Sequence, residues 1–395
     1  MSTTTPIQPV DEAALPRPRA LPVLDPLLLL AAIGLSVLSY VTLHGVVKGS
    51  GTADRQALYA GAGLVLALIL SQIDYSRLRA LRYWLFGIML ALNLVVYAMP
   101  PIQHARRWIP LPLFNFQSSE FGKVLVIVAL AAFATERSRR LHEWRTTIKI
   151  MALAILAALV VVKQPDLGTA LVYVAVGLSI LFFAGTSFRQ LTALFAAFAA
   201  VIAIALAGLP AMGVHVLQGY QRDRLTAFVD PSSCDNLPPN APNPCYQLTQ
   251  AEIAIGSGQK TGLGLHAYQT RLDYLPAPDT DFVFAAVGET YGFVGAALVL
   301  SLYALLIWRA LRILAISKNL FGTLIAAGIV AMIMFQVFVN VGMTIGIMPV
   351  TGVPLPLLSY GGSSVIVTFL AVGLLESIYV QGRLAQAGKR RALIS

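Results

Sequence analysis

Three carboxylates crowd the stretch LPAPDTDFVFAAVGETYGFVG, Leu275 to Gly295. Asp279 and Asp281 stand at the mouth of an apolar run, and Glu289 lies inside it. A carboxylate in a partly dry pocket is raised in pKa and can accept a proton near neutral pH, whereas one that caps a helix is held ionised and is a weak base. Asp281 admits both readings, because it heads an apolar helix and Thr280 could cap in its place. Two carboxylates this close push one pKa of the pair upward, which leaves open whether Asp279 or Asp281 is the more basic. Glu289 falls about 12 Å along the helix axis from Asp281 and about 80° around it. For Glu289, a hydrogen bond or ion pair within the helices stands against a chemical role.

Further polar groups border other apolar runs. Arg106, Arg107 and Trp108 share one loop. The arginines suit either a diphosphate or lipid headgroups, and the tryptophan suits either a pocket wall or an interfacial belt. Glu120 and Lys123 lie at i and i+3 on one helix face, as a structural ion pair or as part of a site. Asp166 heads another span, as a cap or a ligand-facing acid. No HExxH, CxxC or Walker loop is present, so the sequence offers no nucleotide site and no recognisable protein cage for a metal.

The elements that must position these groups are helices in lipid. Of 395 residues, 57% are hydrophobic and 12% charged, and mean hydropathy is +0.75. A soluble domain of this size carries about twice that charge. Apolar runs long enough to cross a bilayer recur, and lipid offers backbone groups no partners, so each is expected to be a helix. The fold class is an all-α polytopic membrane protein of about ten spans, near 25–46, 57–73, 82–99, 118–135, 147–163, 168–186, 189–208, 282–307, 320–345 and 362–381. With the amino terminus inside, 18 of the 28 Lys and Arg residues fall on the cytoplasmic side, which predicts both termini there. The first apolar run is too long for a signal h-region. The net charge of +10 reads as topogenic charge beside anionic membrane lipids, and no nucleic-acid-binding signature accompanies it. Residues 1–24 form an unstructured tail, 25–384 the transmembrane domain and 385–395 a basic tail.

In this topology the candidate residues all face outward, together with a long loop at 209–281 whose glycine-punctuated stretch AEIAIGSGQKTGLGL is expected to fold back on the membrane surface. Cys234 and Cys245, the only cysteines, lie in that loop with ten residues between them, four of them proline. Outside the cytoplasm such a pair favours a disulfide.

Five blocks then bear a resemblance. RRWIPLPLFNFQSSEFGKV, QPDLGTA, YQLTQAEIAIGSGQKTGLGL, LPAPDTDFVFAAVGETYGFVG and NVGMTIGIMPVTGVPLPLLSYGGSS resemble, in order, the motifs of the SEDS family of bacterial peptidoglycan polymerases, the RodA/FtsW proteins. The GVPLPLLSYGGSS wording is closer to RodA, the elongation branch. Asp279 stands where that family usually has His, Ser118 where it has Pro, and Thr290 where a second Glu is common.

The resemblance implies a ten-helix bundle with a large extracytoplasmic loop between spans seven and eight. It also implies polymerisation of lipid II into β-1,4 glycan strands with release of undecaprenyl diphosphate, at the bacterial plasma membrane. Asp281 would be the catalytic carboxylate. Arg106 and Arg107 would steady the diphosphate, Trp108 would shape the pocket, and Glu120 with Lys123 would tune it. Asp166 would position substrate or a divalent cation, Mg²⁺ or Mn²⁺. The implied partner is a class B penicillin-binding protein, which supplies the cross-linking transpeptidase. A lipid II flippase would need a polar path to the inner face, which the outward clustering of charge disfavours. A non-catalytic scaffold would tolerate loss of the outer carboxylates.

Overall fold

The computed structural model describes residues 24–46, 51–100, 107–111, 115–164, 166–204, 219, 224–225, 227–228, 243–272 and 274–394. Arg106 and Cys234 lie outside this set. The chain is helical almost throughout: α1 (Pro26–Val46), α2 (Thr52–Ser71), α3 (Arg82–Val95), α4 (Ser118–Glu136), α5 (Trp144–Val162), α6 (Leu167–Phe183), α7 (Phe188–Ala203), α8 (Pro244–Gly258), α9 (Tyr268–Arg271), α10 (Val283–Ile316), α11 (Leu320–Thr344) and α12 (Gly362–Ile394). Eight of the described helices are long and apolar enough to cross a membrane, among them Tyr75–Ala98, in which 3-10 turns flank α3. The apolar helices α6 and α7 are shorter, at 17 and 16 residues. These ten correspond one for one to the ten expected spans, and the chain is an integral membrane protein.

Two helices run past their expected ends. The sequence places the end of span eight near 307 and that of span ten near 381, yet α10 continues to Ile316 and α12 carries the basic tail as helix to Ile394. Hydropathy marks where lipid ends, not where a helix ends, and Leu, Arg, Ala and Lys are strong helix formers in either solvent. An unexpected pair of three-residue strands, β1 (Trp108–Pro110) and β2 (Asn115–Gln117), forms an antiparallel hairpin with Trp108 opposite Gln117.

Inside the bundle α4 is the most enclosed span apart from α12. A broad apolar core joins α1, α4, α6, α10, α11 and α12. Helix α10 is broken at Gly292 (φ 65°, ψ −159°). The glycine-rich stretch after α8 folds back against this break. There the Gln259 and Lys260 carbonyls accept from the Phe293 and Val294 amides at 2.9 and 3.1 Å, and the Leu263 amide donates to the Glu289 carbonyl at 2.8 Å. A β-carbon on Gly292 would stand 2.4 Å from the Gly262 nitrogen, so the contact is backbone on backbone.

At the end of the bundle where α1 begins, Asp25, Arg309 and Glu376 form a largely buried polar cluster in which Glu376 Oε1 has no partner among the described residues. Asp25 is fully buried and takes the Arg309 guanidinium in a salt bridge, with Arg309 Nε 3.0 Å from Oδ2. Its Oδ1 accepts from the Leu27 and Leu28 amides at 3.1 Å, which caps α1, and its own amide donates to Glu376 Oε2 at 2.9 Å. Arg309 lies over the Trp308 ring.

Candidate active site

A cleft of about 650 Å³ opens at the other end of the bundle. Its wall is drawn from across the chain. Arg55 and Tyr59, four residues apart and so on one face, come from the first turns of α2. Arg107 and Trp108 come from the hairpin, Asp166 from the head of α6, and Arg224 from the long loop. Thr280 and Asp281 precede α10, and Gly352 to Ser364 lead into α12.

The turn that carries Asp281 is fixed through its backbone. Three consecutive carbonyls each receive an outside donor: Asp279 O from the Tyr360 amide at 2.8 Å, Thr280 O from Ser359 Oγ at 2.6 Å, and Asp281 O from Asn340 Nδ2 at 2.9 Å. Ala277 in this turn and Leu357 in the facing loop both hold left-handed backbone (φ 48° and 67°), a conformation that costs a side-chain-bearing residue energy and persists where surroundings over-determine it. Gln56 adds to the bracing, donating to Ser39 Oγ and Ser359 O and accepting from the Gly361 amide.

Neither Asp281 nor Thr280 caps α10, whose first turn has no side-chain cap. The Asp281 carboxylate turns to the cleft. A β-carbon on Gly352 (φ 71°) would stand 3.4 Å from Asp281 Oδ2 and 3.2 Å from Arg224 Nη1, so this glycine keeps open the space that the acid and the guanidinium share. Burial pushes the Asp281 carboxyl above its ordinary value. Arg224 and then Arg107 oppose that rise, while Asp279 and Asp166 add to it. Burial raises Asp279 as well. Asp281 thus has the surroundings of a proton acceptor held among cations.

Asp166 takes both roles open to it in the sequence. Its Oδ1 caps α6 by accepting from the Thr169 amide at 3.1 Å, and its Oδ2 accepts from Ser119 Oγ at 3.0 Å and Gln117 Nε2 at 3.3 Å while it borders the cleft. Ser363 fixes the hairpin, accepting from the Gln117 amide and donating to Asn115 O at 2.9 and 3.1 Å, so Trp108 enters the wall on a braced strand. Gly362, Ser363 and Ser364, which line the cleft, begin a 33-residue helix, and the N-terminus of a helix favours an anion.

Four predicted residues, Glu120, Lys123, Asp279 and Glu289, are not among the described cleft wall. Lys123 Nζ stands 2.7 Å from both Glu120 oxygens in an almost fully buried pair, one turn below Ser119. Glu289 is fully buried and structural: it accepts from the Gln269 and Thr270 amides at 2.8 and 2.9 Å and from Thr270 Oγ1, which ties α9 to α10. Of the two roles the sequence leaves open for Glu289, the chemical, substrate-binding one is therefore corrected, because the side chain is buried away from the cleft and both oxygens already accept from α9. The Asp279 side chain is half-buried and acts on Asp281 through its charge.

Ser118, in place of a proline, uses its hydroxyl to reach Asn93 Oδ1 at 3.1 Å. Arg55, Tyr59, Arg224 and Tyr360 were not singled out in the sequence. Arg224 was visible only as a basic residue in the long loop, and Tyr360 only as part of the SYGG block. Cys245 is disulfide-bonded. Among the described residues no group of three His, Cys, Asp or Glu could hold a metal by itself.

A many-spanned bundle of apolar helices with a charged, glycine-opened cleft defines an integral membrane protein with a polar site. The chain belongs to the family FTSW_RODA_SPOVE, described as cell cycle protein, whose pattern matches residues 22–384. It is 36% identical over 364 residues to the peptidoglycan glycosyltransferase MrdB of Escherichia coli (strain K12), covering 91% of this chain and 95% of that protein. Among solved structures it resembles one described as "Structural coordination of polymerization and crosslinking by a peptidoglycan synthase complex", with TM-score 0.74, 30% identity and coverage of 90% and 98%. It also resembles the crystal structure of the Thermus thermophilus rod shape determining protein RodA, with TM-score 0.65, 29% identity and coverage of 90% and 97%.

Proposed function

We propose that this chain is a peptidoglycan glycosyltransferase that polymerises lipid II, with Asp281 as the catalytic base. The observation that carries this reading is the Asp281 carboxylate, uncapped and braced through three backbone carbonyls, facing Arg224 across Gly352. The sugar 4-hydroxyl of one lipid II attacks the anomeric carbon of another. Its proton passes to Asp281 as the C1–O4 bond forms and the C1–O bond to the diphosphate breaks. Negative charge then grows on the leaving undecaprenyl diphosphate, where Arg107, Arg224 and Arg55 and the amides at the head of α12 favour it. Arg106, next to Arg107 in sequence and outside the described residues, would act with it on the diphosphate. The product is a β-1,4 glycan strand, and the lipid tails stay in the bilayer beside the cleft.

A divalent cation, Mg²⁺ or Mn²⁺, would be held by Asp281 or Asp166 only with diphosphate oxygens completing its shell, since the protein offers two carboxylates there and one is engaged by three donors. Such an ion would neutralise phosphate charge.

The reading includes cell-wall elongation as the role and the plasma membrane as the site, with both termini cytoplasmic and the cleft outside. It also includes a class B penicillin-binding protein as partner. The solved complex that coordinates polymerisation with crosslinking supports the last of these.

The test is polymer formation from purified lipid II, with and without Mg²⁺ or Mn²⁺, by wild type and Asp281→Asn, each purified with the class B partner. Wild type makes polymer and the variant makes none. Equal polymer from both would remove Asp281 from the chemistry. No polymer from either would leave a flippase or a scaffold.

A further inference from the structure

Asn340 belongs to the NVGM block, and the reaction above gives it no role. It sits near the cleft-side end of α11, fully buried. Its Nδ2 donates twice, to Asp281 O at 2.9 Å and to Val353 O at 2.7 Å. The two carbonyls belong to the two loops that face each other across Gly352. Among side chains of this size only a primary amide carries two N–H donors on one atom. Aspartate would turn negative oxygen toward the same carbonyls, and serine or threonine would supply one donor. The amide oxygen has no hydrogen-bond partner among the described residues. That loss is one a side chain serving only to fill space would avoid.

We propose that Asn340 is a positioning residue that sets the distance between the Asp281 carboxylate and Arg224 by clamping the Asp281 carbonyl to that of Val353. The clamp acts one bond from the Cα that carries the acid, and its other jaw is the residue after Gly352, over which acid and guanidinium meet. Ser359 and the Tyr360 amide hold the preceding two carbonyls, so loss of Asn340 releases only the end of the turn that bears Asp281. The inference rests on the proposed polymerase reaction for its kinetic consequence, but not for its geometric one.

The experiment uses the full chain purified with the class B partner and compares wild type, Asn340→Leu and Asn340→Ser on lipid II. A misplacement of about 1 Å costs roughly 10²-fold in rate. Asn340→Leu should therefore lower kcat about that much with little change in KM, and Asn340→Ser, which keeps one donor, should fall between. The charged groups facing Asp281 are Arg224 and Arg107, which favour its ionised form, and Asp279 and Asp166, which oppose it. Withdrawal from the arginines should move the acid limb of kcat to higher pH.

The midpoint pH for carbodiimide labelling of Asp281, which requires the protonated acid, should move the same way and needs no turnover. Full kcat in Asn340→Leu, or a loss explained by less folded protein with the acid limb and the labelling midpoint unmoved, overturns the proposal. If neither variant folds, Asn340 is structural and the proposal also falls. A wild type that makes no polymer removes the reaction, while the labelling midpoint still decides the positioning.

Discussion

The two ends of the bundle both bury charge, and they do it in opposite ways. At the Asp25 end the charged groups face one another: Asp25 caps α1 and binds Arg309, and Glu376 Oε2 takes the Asp25 amide, with Glu376 Oε1 left without a partner among the described residues. At the cleft end, acid and guanidinium are arranged around open space, with Gly352 keeping that space clear. The first cluster ties α1, α10 and α12 together. At the second, the turn that carries Asp281 is braced from behind, through its backbone carbonyls, and its carboxylate faces the cleft. Buried charge in a membrane protein is a functional hypothesis by default. The contrast refines that rule, because what separates site from strut is whether the charges point at each other or at a cavity.

The comparison is most sharply tested at its two acids. Asp281→Asn should lower polymerisation by about 10³-fold or more, within the 10²–10⁴ of a general base, while the thermal midpoint stays near that of wild type. Arg309→Met should do the reverse: it strands Asp25 in a buried site and costs about 3 kcal/mol of stability or more, read by thermal unfolding in detergent, with kcat per folded molecule unchanged. If Arg309→Met abolished catalysis without destabilising the protein, the division between the two ends would fail.

Arg224→Met should lower kcat/KM about 10- to 100-fold, as expected for loss of a charge-assisted contact to phosphate, with the fold intact. The smallest change is expected for Asp279→Asn. Removing that neighbouring negative charge lowers the Asp281 pKa. Because the base must be ionised to work, the acid limb of the rate profile should move to lower pH. Loss of polymerisation in Asp279→Asn, with Asp281→Asn still active, would show that Asp279, not Asp281, accepts the proton.

Much of this contrast was legible in sequence, and the rest was hidden for physical reasons. Hydropathy places spans closely wherever lipid dictates them: 118–135 was expected and Ser118–Glu136 is found, and 320–345 was expected and Leu320–Thr344 is found. It could not show the break at Gly292, because an apolar run reads the same whether or not its amides are taken by a neighbouring loop. It missed the Trp108 hairpin, whose strands are too short to show a period.

Asp281, Asp166, Arg107 and Trp108, which line the cleft, were conspicuous in sequence as charged or aromatic residues beside apolar runs. Arg55, Arg224 and Tyr360 were overlooked because packing alone brings them together. Glu289 was the instructive error. It lies deeper in an apolar run than Asp281, yet its oxygens are consumed by α9, a short helix with no hydropathy signal of its own.

The three held carbonyls of the Asp279–Asp281 turn also bear on the thermodynamics of binding. Fixing a residue's backbone costs about 1–2 kcal/mol of conformational entropy, and an interface that must order a loop loses that much from its affinity. Here the ordering is complete before any ligand arrives, because Tyr360, Ser359 and Asn340 have already taken the turn's freedom during folding. Substrate association at this turn therefore carries little entropic penalty, and contacts made there count toward affinity or rate nearly in full.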